Sequence, residues 1–235
     1  MEAALYLVPV TLGNTSLSQV LPGYNAELVC RIRHFVVENV RSARRFLRSM
    51  DREFPIDECV FFEMGKHADE RLFSQYLQPL RDGFPVGVIS EAGCPAVADP
   101  GSAVVAIAHR QGLRVIPLVG PSSMIMAVMS SGFNGQSFAF NGYLPVEPSD
   151  RVKRIKALES RAWNENQTQL FIEAPYRNRK MLQSLLSALR PATRLCVAAG
   201  ITTGQEFIRT RTIAEWKRQP LPNLDDIPAI FLISK

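Results

Sequence analysis

Short apolar runs alternate along this chain with longer stretches whose apolar residues recur every three or four positions. The first kind reads as buried strand and the second as amphipathic helix. In the first half the pattern predicts strands at 5–10, 58–63, 86–89 and 114–118, with a further strand-like stretch inside 26–37, centred on 28–33. Helices are predicted at 41–51, at 104–111 with Gly112 as C-cap, and at 66–82 with Leu72, Tyr76, Leu77 and Leu80 on one stripe. A loop follows at 119–123, and a helix opens at Ser122 or Ser123 as N-cap and continues over 124–131. The second half predicts strands at 138–144, 169–173, 195–199, 205–210 and 229–234. Its helices are a charged one at 150–159, a short one at 212–218, and one at 179–189 with Met181, Leu182, Leu185, Leu186 and Leu189 inward.

Strands alternating with helices make an α/β protein. The expected architecture is two α/β lobes, 1–118 and 119–235, joined near Pro117 to Pro121. Each lobe is expected to carry a central mixed sheet, that of the first half mostly parallel, with a ligand cleft between the lobes.

One loop stands out. After the apolar run 86–89 the chain breaks into a polar segment holding Ser90, Glu91, Gly93, Pro95, Asp99, Pro100 and Gly101. Two X-Pro steps stiffen it, and its glycines allow close backbone approach to another molecule. A strand that ends in such a loop before a helix is where open α/β proteins put ligands. The loop has neither G-x-G-x-x-G nor G-K-[ST], so it is not a dinucleotide fingerprint or a P-loop. An ordinary strand–helix connection is the plain alternative.

Composition removes several classes. The 235 residues are 46% hydrophobic, but no apolar run reaches the roughly 18 residues of a membrane helix. The opening segment has no basic n-region and no signal-type h-region, so a soluble cytoplasmic protein is expected, with no membrane partner. Cys30, Cys59, Cys94 and Cys196 form no C-x-x-C pair and read as reduced thiols. Cys94 lies in the loop after 86–89 without a nearby His. His34, His67 and His109 have no metal-ligand spacing, so no metal is expected. The net charge of +5 rests on basic clusters at 41–48, 151–156 and 177–180. Each alone reads as a solvated helix face; together they suit a polyanionic partner.

At this point the residues resemble a known family. The chain is similar to the tetrapyrrole methylase superfamily, S-adenosylmethionine-dependent methyltransferases with two α/β lobes and the cofactor between them. Within it the nearest branch is the 2'-O-ribose methyltransferases of small-subunit ribosomal RNA. LYLVPVTLGN from Leu5 resembles that branch's opening strand and P-T-P-I-G-N loop. SEAGCP from Ser90, followed by Asp99, Pro100 and Gly101, resembles S-D-A-G-T-P and D-P-G. VIPLVGPS from Val115 resembles V-V-P-L-P-G-P-S, FNGYLP from Phe140 resembles G-F-L-P, and FIEAPYR from Phe171 resembles F-Y-E-S-P-H-R. The resemblance runs in order over nearly the whole chain.

What the resemblance implies can be assigned to residues. Cofactor contacts fall on Pro9 and Leu12; on Ser90, Glu91, Ala92 and Gly93; on Pro121 and Ser122; on Glu173, Ala174 and Pro175; and on Pro228, Ala229 and Ile230. Glu91 or Glu173 is the candidate for the cofactor's ribose hydroxyls or ammonium, with a capping role as the alternative; Pro175 and Ala229 offer apolar contact to adenine. A ribose hydroxyl is a weak nucleophile, so a general base helps, and Asp99 and Glu38 are the candidates. Asp99 before Pro-Gly also suits a residue that only fixes its own turn. Arg41, Arg44, Arg45 and Arg177 are the candidate substrate contacts, with ribosomal RNA as partner and a homodimer as assembly. The chain also departs from the branch. E-D-T-R becomes Glu38-Asn39-Val40-Arg41, R-E-L-T-K becomes AGITT from Ala199, and the late K-G-E is replaced by Asp226, Ile227 and Pro228. Three readings follow: an RNA ribose methyltransferase, a methyltransferase of a tetrapyrrole or other small molecule, and a cofactor-binding protein without turnover.

Overall fold

The computed structural model describes residues 1–65 and 69–235. The chain divides into two compact units, Met1–Ser122 and Ser123–Lys235. Among the described residues no helix is long and apolar enough to cross a membrane.

The first unit is a five-stranded sheet: β1 (Leu5–Val8), β2 (His34–Val37), β3 (Val60–Glu63), β4 (Val86–Ile89) and β5 (Val115–Pro117). Their order is β3-β2-β4-β1-β5 and every pairing is parallel. The expected mixed sheet is therefore wholly parallel in this unit. Helices cover both faces of such a sheet, which is why β4 is buried at all four positions and reads as unbroken apolar sequence. Side chains alternate across it: Tyr6, Phe35 and Val37 enter one core with Leu47 and Phe54, while Leu5, Val36 and Val88 enter the other with Leu77 and Val104. Gly87 is required here, since a Cβ would come within 2.8 Å of the Phe35 ring.

Two expectations are corrected. Of the strand-like stretch at 28–33, Leu28 and Val29 instead end a helix, Gly23–Val29, a turn follows, and the strand begins at His34. Pro22, extended at φ −60° and ψ 141°, precedes the first turn of that helix. Asn25 and Val29, one turn apart, are its buried positions, and the Asn25 amide donates to the Val119 carbonyl at 2.8 Å. The helix expected at 66–82 is broken. Its first three positions, 66–68, lie outside the described residues. Beyond them come a 3-10 turn, Glu70–Leu72, and two short helices, Phe73–Tyr76 and Gln78–Arg81, parted at Leu77. Pro79 has no N–H for the Gln75 carbonyl and its ring crowds that oxygen, so the ladder stops. The stripe survives in part: Leu77 and Leu80 are buried and Tyr76 half-buried, but Leu72 is exposed and Phe73 beside it takes the buried place.

The second unit holds β6 (Phe138–Tyr143), β7 (Thr168–Ile172), β8 (Arg194–Ala199), β9 (Phe207–Thr212) and β10 (Ala229–Ser234). The order is β6-β7-β10-β8-β9, with β6 and β7 parallel and the other pairs antiparallel, so this sheet is mixed. The charged helix is longer than expected, Pro148–Asn164, because Pro at its first turn suits a helix start and nothing after 159 breaks it. Ile155 and Leu158 from that helix meet Met181, Leu182 and Leu185 from the helix Asn178–Ala188 over Phe171 and Phe231. Trp216 closes the far end, its indole N–H donating to the Leu195 carbonyl at 2.9 Å.

Candidate active site

The sheet order of the first unit sets up a ligand crevice. From β1 the chain travels two places in one direction to β2, whereas from β4 it travels two places the other way to β5. β1 and β4 are neighbours, so the loops leaving their carboxyl ends diverge, which makes the switch point where parallel sheets bind ligands. Val8 pairs with Ile89, and beyond that pair the Val10 N–H donates to the Gly93 carbonyl at 2.9 Å. Gly93 has φ +67°, and a Cβ there would stand 3.1 Å from Leu12 Cδ2 and 3.3 Å from the Pro121 carbonyl. The third loop closes on the same place. The Cys94 thiol donates to the Pro121 carbonyl at 3.4 Å, and Gly120 lies so close to Pro9 that a Cβ would meet its ring at 2.2 Å. The structure thus gathers Pro9, Leu12, Gly93 and Pro121 at one point, with Ser90, Glu91, Ala92 and Ser122 beside them in the chain. Burial pushes the Cys94 thiol up, away from a reactive thiolate.

The rest of the β4 loop is strained. Ala96 and Ala98 are left-handed, at φ +67° and +60°, and Gly101 has φ +127°. A left-handed alanine costs about 1 kcal/mol, and the Ala96 N–H to Pro100 carbonyl bond of 3.1 Å helps to hold it. Strain of this kind collects at ligand sites. Half-buried Asp99 follows the two alanines. Burial raises its carboxyl above the usual carboxylate range, the Ser90 hydroxyl pulls it back down, and the charge of Glu91 raises it again.

Glu38 follows β2 and braces this loop. Its backbone N–H donates to the Ile89 carbonyl at 3.0 Å, and its Oε2 accepts the Glu91 N–H at 3.1 Å. The Glu91 carboxylate in turn accepts the Ser42 hydroxyl at 3.1 Å, and Arg45 donates to that hydroxyl at 3.3 Å. Ser42 belongs to the helix Val40–Met50, whose N-cap is Asn39, with Oδ1 accepting the Ser42 N–H at 3.1 Å. Asn therefore does the capping that an Asp does, and the departure from E-D-T-R leaves the helix start intact. A cavity of about 730 Å³ opens beside this network, lined by Thr11, Asn14, Thr15, Ser42, Arg45 and Glu91 among others. A neighbouring cavity of about 590 Å³ takes Arg44, Arg45 and Arg48 as walls. Arg44 pairs with Asp57 at 3.4 Å and lies over the Phe61 ring; Arg41 is exposed.

In the second unit the remaining expected residues share one end of the sheet, where two interior strands, β7 and β10, meet. Ile172 pairs with Ile230, so Glu173 after β7 comes beside Pro228 and Ala229 at the start of β10. Glu173 is buried, its side chain 1% exposed. Its Oε1 accepts the Ala174 N–H at 2.8 Å and Arg177 at 3.0 and 2.6 Å. Its Oε2 is buried with no hydrogen-bond partner among the described residues. The Glu173 bond holds the Arg177 guanidinium above its ordinary value, and that group lies 5.3 Å from the Tyr176 ring. At the end of β8, where the branch has charges, this chain makes a turn: the Gly200 N–H donates to the Pro228 carbonyl at 2.9 Å and Glu206 accepts the Thr202 N–H at 2.8 Å.

Sequence reasoning missed Ser42 and Asn25 as parts of this architecture. The N-x-x-S spacing of Asn39 and Ser42 was a legible cap signal. Asn25 carried none, because its partner is 94 residues away.

No family model matches the chain. Among curated proteins it is similar to "Ribosomal RNA small subunit methyltransferase I" of Vibrio cholerae, 28% identical over 90% of this chain and 69% of that protein. The protein of the same name from Pseudomonas aeruginosa is 29% identical over 76% of this chain and 60% of its own length. That of Micromonospora olivasterospora is 32% identical over 89% of this chain and 63% of its own. Among solved structures, the methyltransferase CobJ matches with a TM-score of 0.63 and 15% identity over 99% of this chain and 94% of its own, a likeness of fold.

Proposed function

We propose that this chain, which belongs to the tetrapyrrole methylase superfamily, transfers a methyl group from S-adenosylmethionine to a ribose 2'-hydroxyl of small-subunit ribosomal RNA. Its relatives are small-subunit ribosomal RNA methyltransferases by name, and the match runs over most of the chain. The observation that carries the reading is the meeting of the β1, β4 and β5 loops at Gly93, where the branch's three signature segments converge.

The residues present fit the cofactor. Glu173 Oε2 is an acceptor already stripped of water and without a protein donor among the described residues, which suits a hydroxyl or an ammonium. Pro9, Leu12, Ser90 to Gly93, Pro121 and Ser122 supply backbone groups and small side chains. Ala174, Pro175, Pro228, Ala229 and Ile230 supply apolar contact. S-adenosylmethionine brings a methyl group already activated by its sulfonium charge, so the protein aligns the acceptor and excludes water. Glu38 and Ser42 hold Glu91, and through it the Ser90–Gly93 loop, in one geometry. Asp99 takes the proton from the ribose hydroxyl, and its raised pKa makes it a stronger base than an exposed carboxylate. Glu38 has the same chemistry with its Oε2 already engaged by the Glu91 N–H. Arg41, Arg44 and Arg45 face the RNA backbone, and the working assembly is a homodimer, to be checked by sedimentation.

The test is transfer of labelled methyl from S-adenosylmethionine to small ribosomal subunits taken from cells lacking this protein. Label in one ribose of the RNA is expected. Label in no RNA, with tight cofactor binding, overturns the reading.

A further inference from the structure

On the second unit two aromatic rings stand in solvent where side chains of their size are normally covered: Tyr143 is 63% exposed and Tyr176 70%. They lie at the same end of adjacent parallel strands. β6 and β7 run side by side, with Tyr143 opposite Ile172, and Tyr176 lies in the turn Pro175–Arg177 just beyond β7. The pairing shifts register between Phe140 and Tyr143, and Gly142 sits at φ +62°. A bulge of this kind re-aims the side chain that follows it. Both phenols lie close enough to Arg177 to act on its charge.

Arg177 explains the order of this surface. Its Nε and Nη2 are taken by Glu173 Oε1 at 3.0 and 2.6 Å, and its Cζ stands over the Tyr176 ring, 5.3 Å from the centroid. A guanidinium tied on that edge to a buried carboxylate is a poor phosphate clamp and a good buttress. It fixes a ring and presents a flat cationic face. Arg179 and Lys180 follow at once and are exposed. Flat rings, a flat guanidinium and a basic margin match an unpaired nucleobase with its phosphate, since every base offers a π-face.

We propose that Tyr143, Tyr176 and Arg177 form a stacking platform for an unpaired nucleotide of the RNA substrate. The proposal rests on the RNA reading above and adds a single-stranded element to it. Such recognition targets splayed bases rather than duplex, because A-form grooves hide base faces.

The test uses the full chain and fluorescence anisotropy with a fluorescein-labelled single-stranded twelve-nucleotide RNA. Tyr143→Ala and Tyr176→Ala are each expected to weaken binding roughly 5- to 150-fold, while Tyr176→Phe stays within about twofold of the parent. The slope of log affinity against log salt is expected to stay unchanged in the Ala variants, because no phosphate contact is lost. The triple variant Arg44→Ala, Arg45→Ala, Arg48→Ala is expected to flatten it by roughly 0.7 per lost contact. If the parent binds RNA and both Ala variants bind equally well, the platform is overturned and the RNA reading stands. If the parent binds no RNA, both fall. If the Ala variants lose self-association by sedimentation and keep RNA affinity, the rings are a surface between copies of this chain and the proposal is overturned.

Discussion

The two units finish their strand ends by different means. In the first most of the work is done by backbone, with the Glu38 carboxylate as a brace: the Val10–Gly93 bond, the left-handed Ala96 and Ala98, and Gly120 set against Pro9. In the second it is done by side chains: Glu173 Oε1 gathers three donors, and the buried Asn178 amide donates to the Ile227 carbonyl at 2.7 Å. A backbone-built end tolerates changes of side-chain chemistry but not added volume. A side-chain-built end is the reverse, since its integrity rests on one charge and its partner.

Adding volume to the first unit is the most damaging way to probe this contrast. Gly120→Val puts a branched Cβ where the Pro9 ring stands at 2.2 Å, and a proline ring has no rotamer in which to withdraw. A loss of about 3 kcal/mol in urea unfolding is expected; a parent-like midpoint breaks the contrast at its strongest point. Gly93→Val comes next, at roughly 1–2 kcal/mol for forcing a β-branched residue into left-handed backbone. It also spreads Leu12 from Pro121, so calorimetric titration with S-adenosylmethionine should show at least tenfold weaker binding. Unchanged affinity in the folded variant removes this loop from the cofactor site.

Arg177→Ala probes the second unit. It leaves Glu173 buried without its charge partner, and a clear drop in thermal midpoint is expected. Arg44→Ala, which breaks an exposed pair with Asp57, should leave the midpoint where it is. Equal effects from the two would mean that the Glu173 bonds carry no more weight than a surface pair. The smallest effect concerns pH. Burial holds the folded pKa of Asp99 above its unfolded value, so the folded state keeps that proton longer. Its contribution to stability is present below about pH 4 and is lost as pH rises through the folded value. Asp99→Asn should flatten that fall in urea midpoints measured upward from pH 4. A parallel fall in both proteins would show that Asp99 does not cause it.

The backbone-built end was the more legible of the two in the sequence. Gly, Pro and the Asp-Pro-Gly step announce a constrained loop by themselves, and the unbroken apolar run 86–89 announced a strand covered on both faces. Legibility failed where distant packing overrides local pattern. Leu28, Cys30 and Ile32 alternate as a strand does, yet Asn25 and Val29 bury one turn apart and keep the segment helical as far as Val29. Of the stripe at 72–80, Leu77 and Leu80 are buried, but Pro79 cut the helix expected to carry it. In the second unit the Glu173 and Arg177 spacing allowed an ion pair on any helical turn. Nothing local said that one oxygen would be saturated and the other left open.

β10 lies between β7 and β8 in the second sheet, although it is the last of the five strands in sequence. Without β10 the sheet would part into two separate pairs, β6 with β7 and β8 with β9. Each would show the bare edge that β10 covers, and an uncovered edge recruits strands from other chains. The six residues Ala229–Ser234, every one of them buried, thus work as an internal clasp. Loss of these six residues would leave two open edges on one chain, which makes this strand the point where the second sheet is most exposed to misassembly.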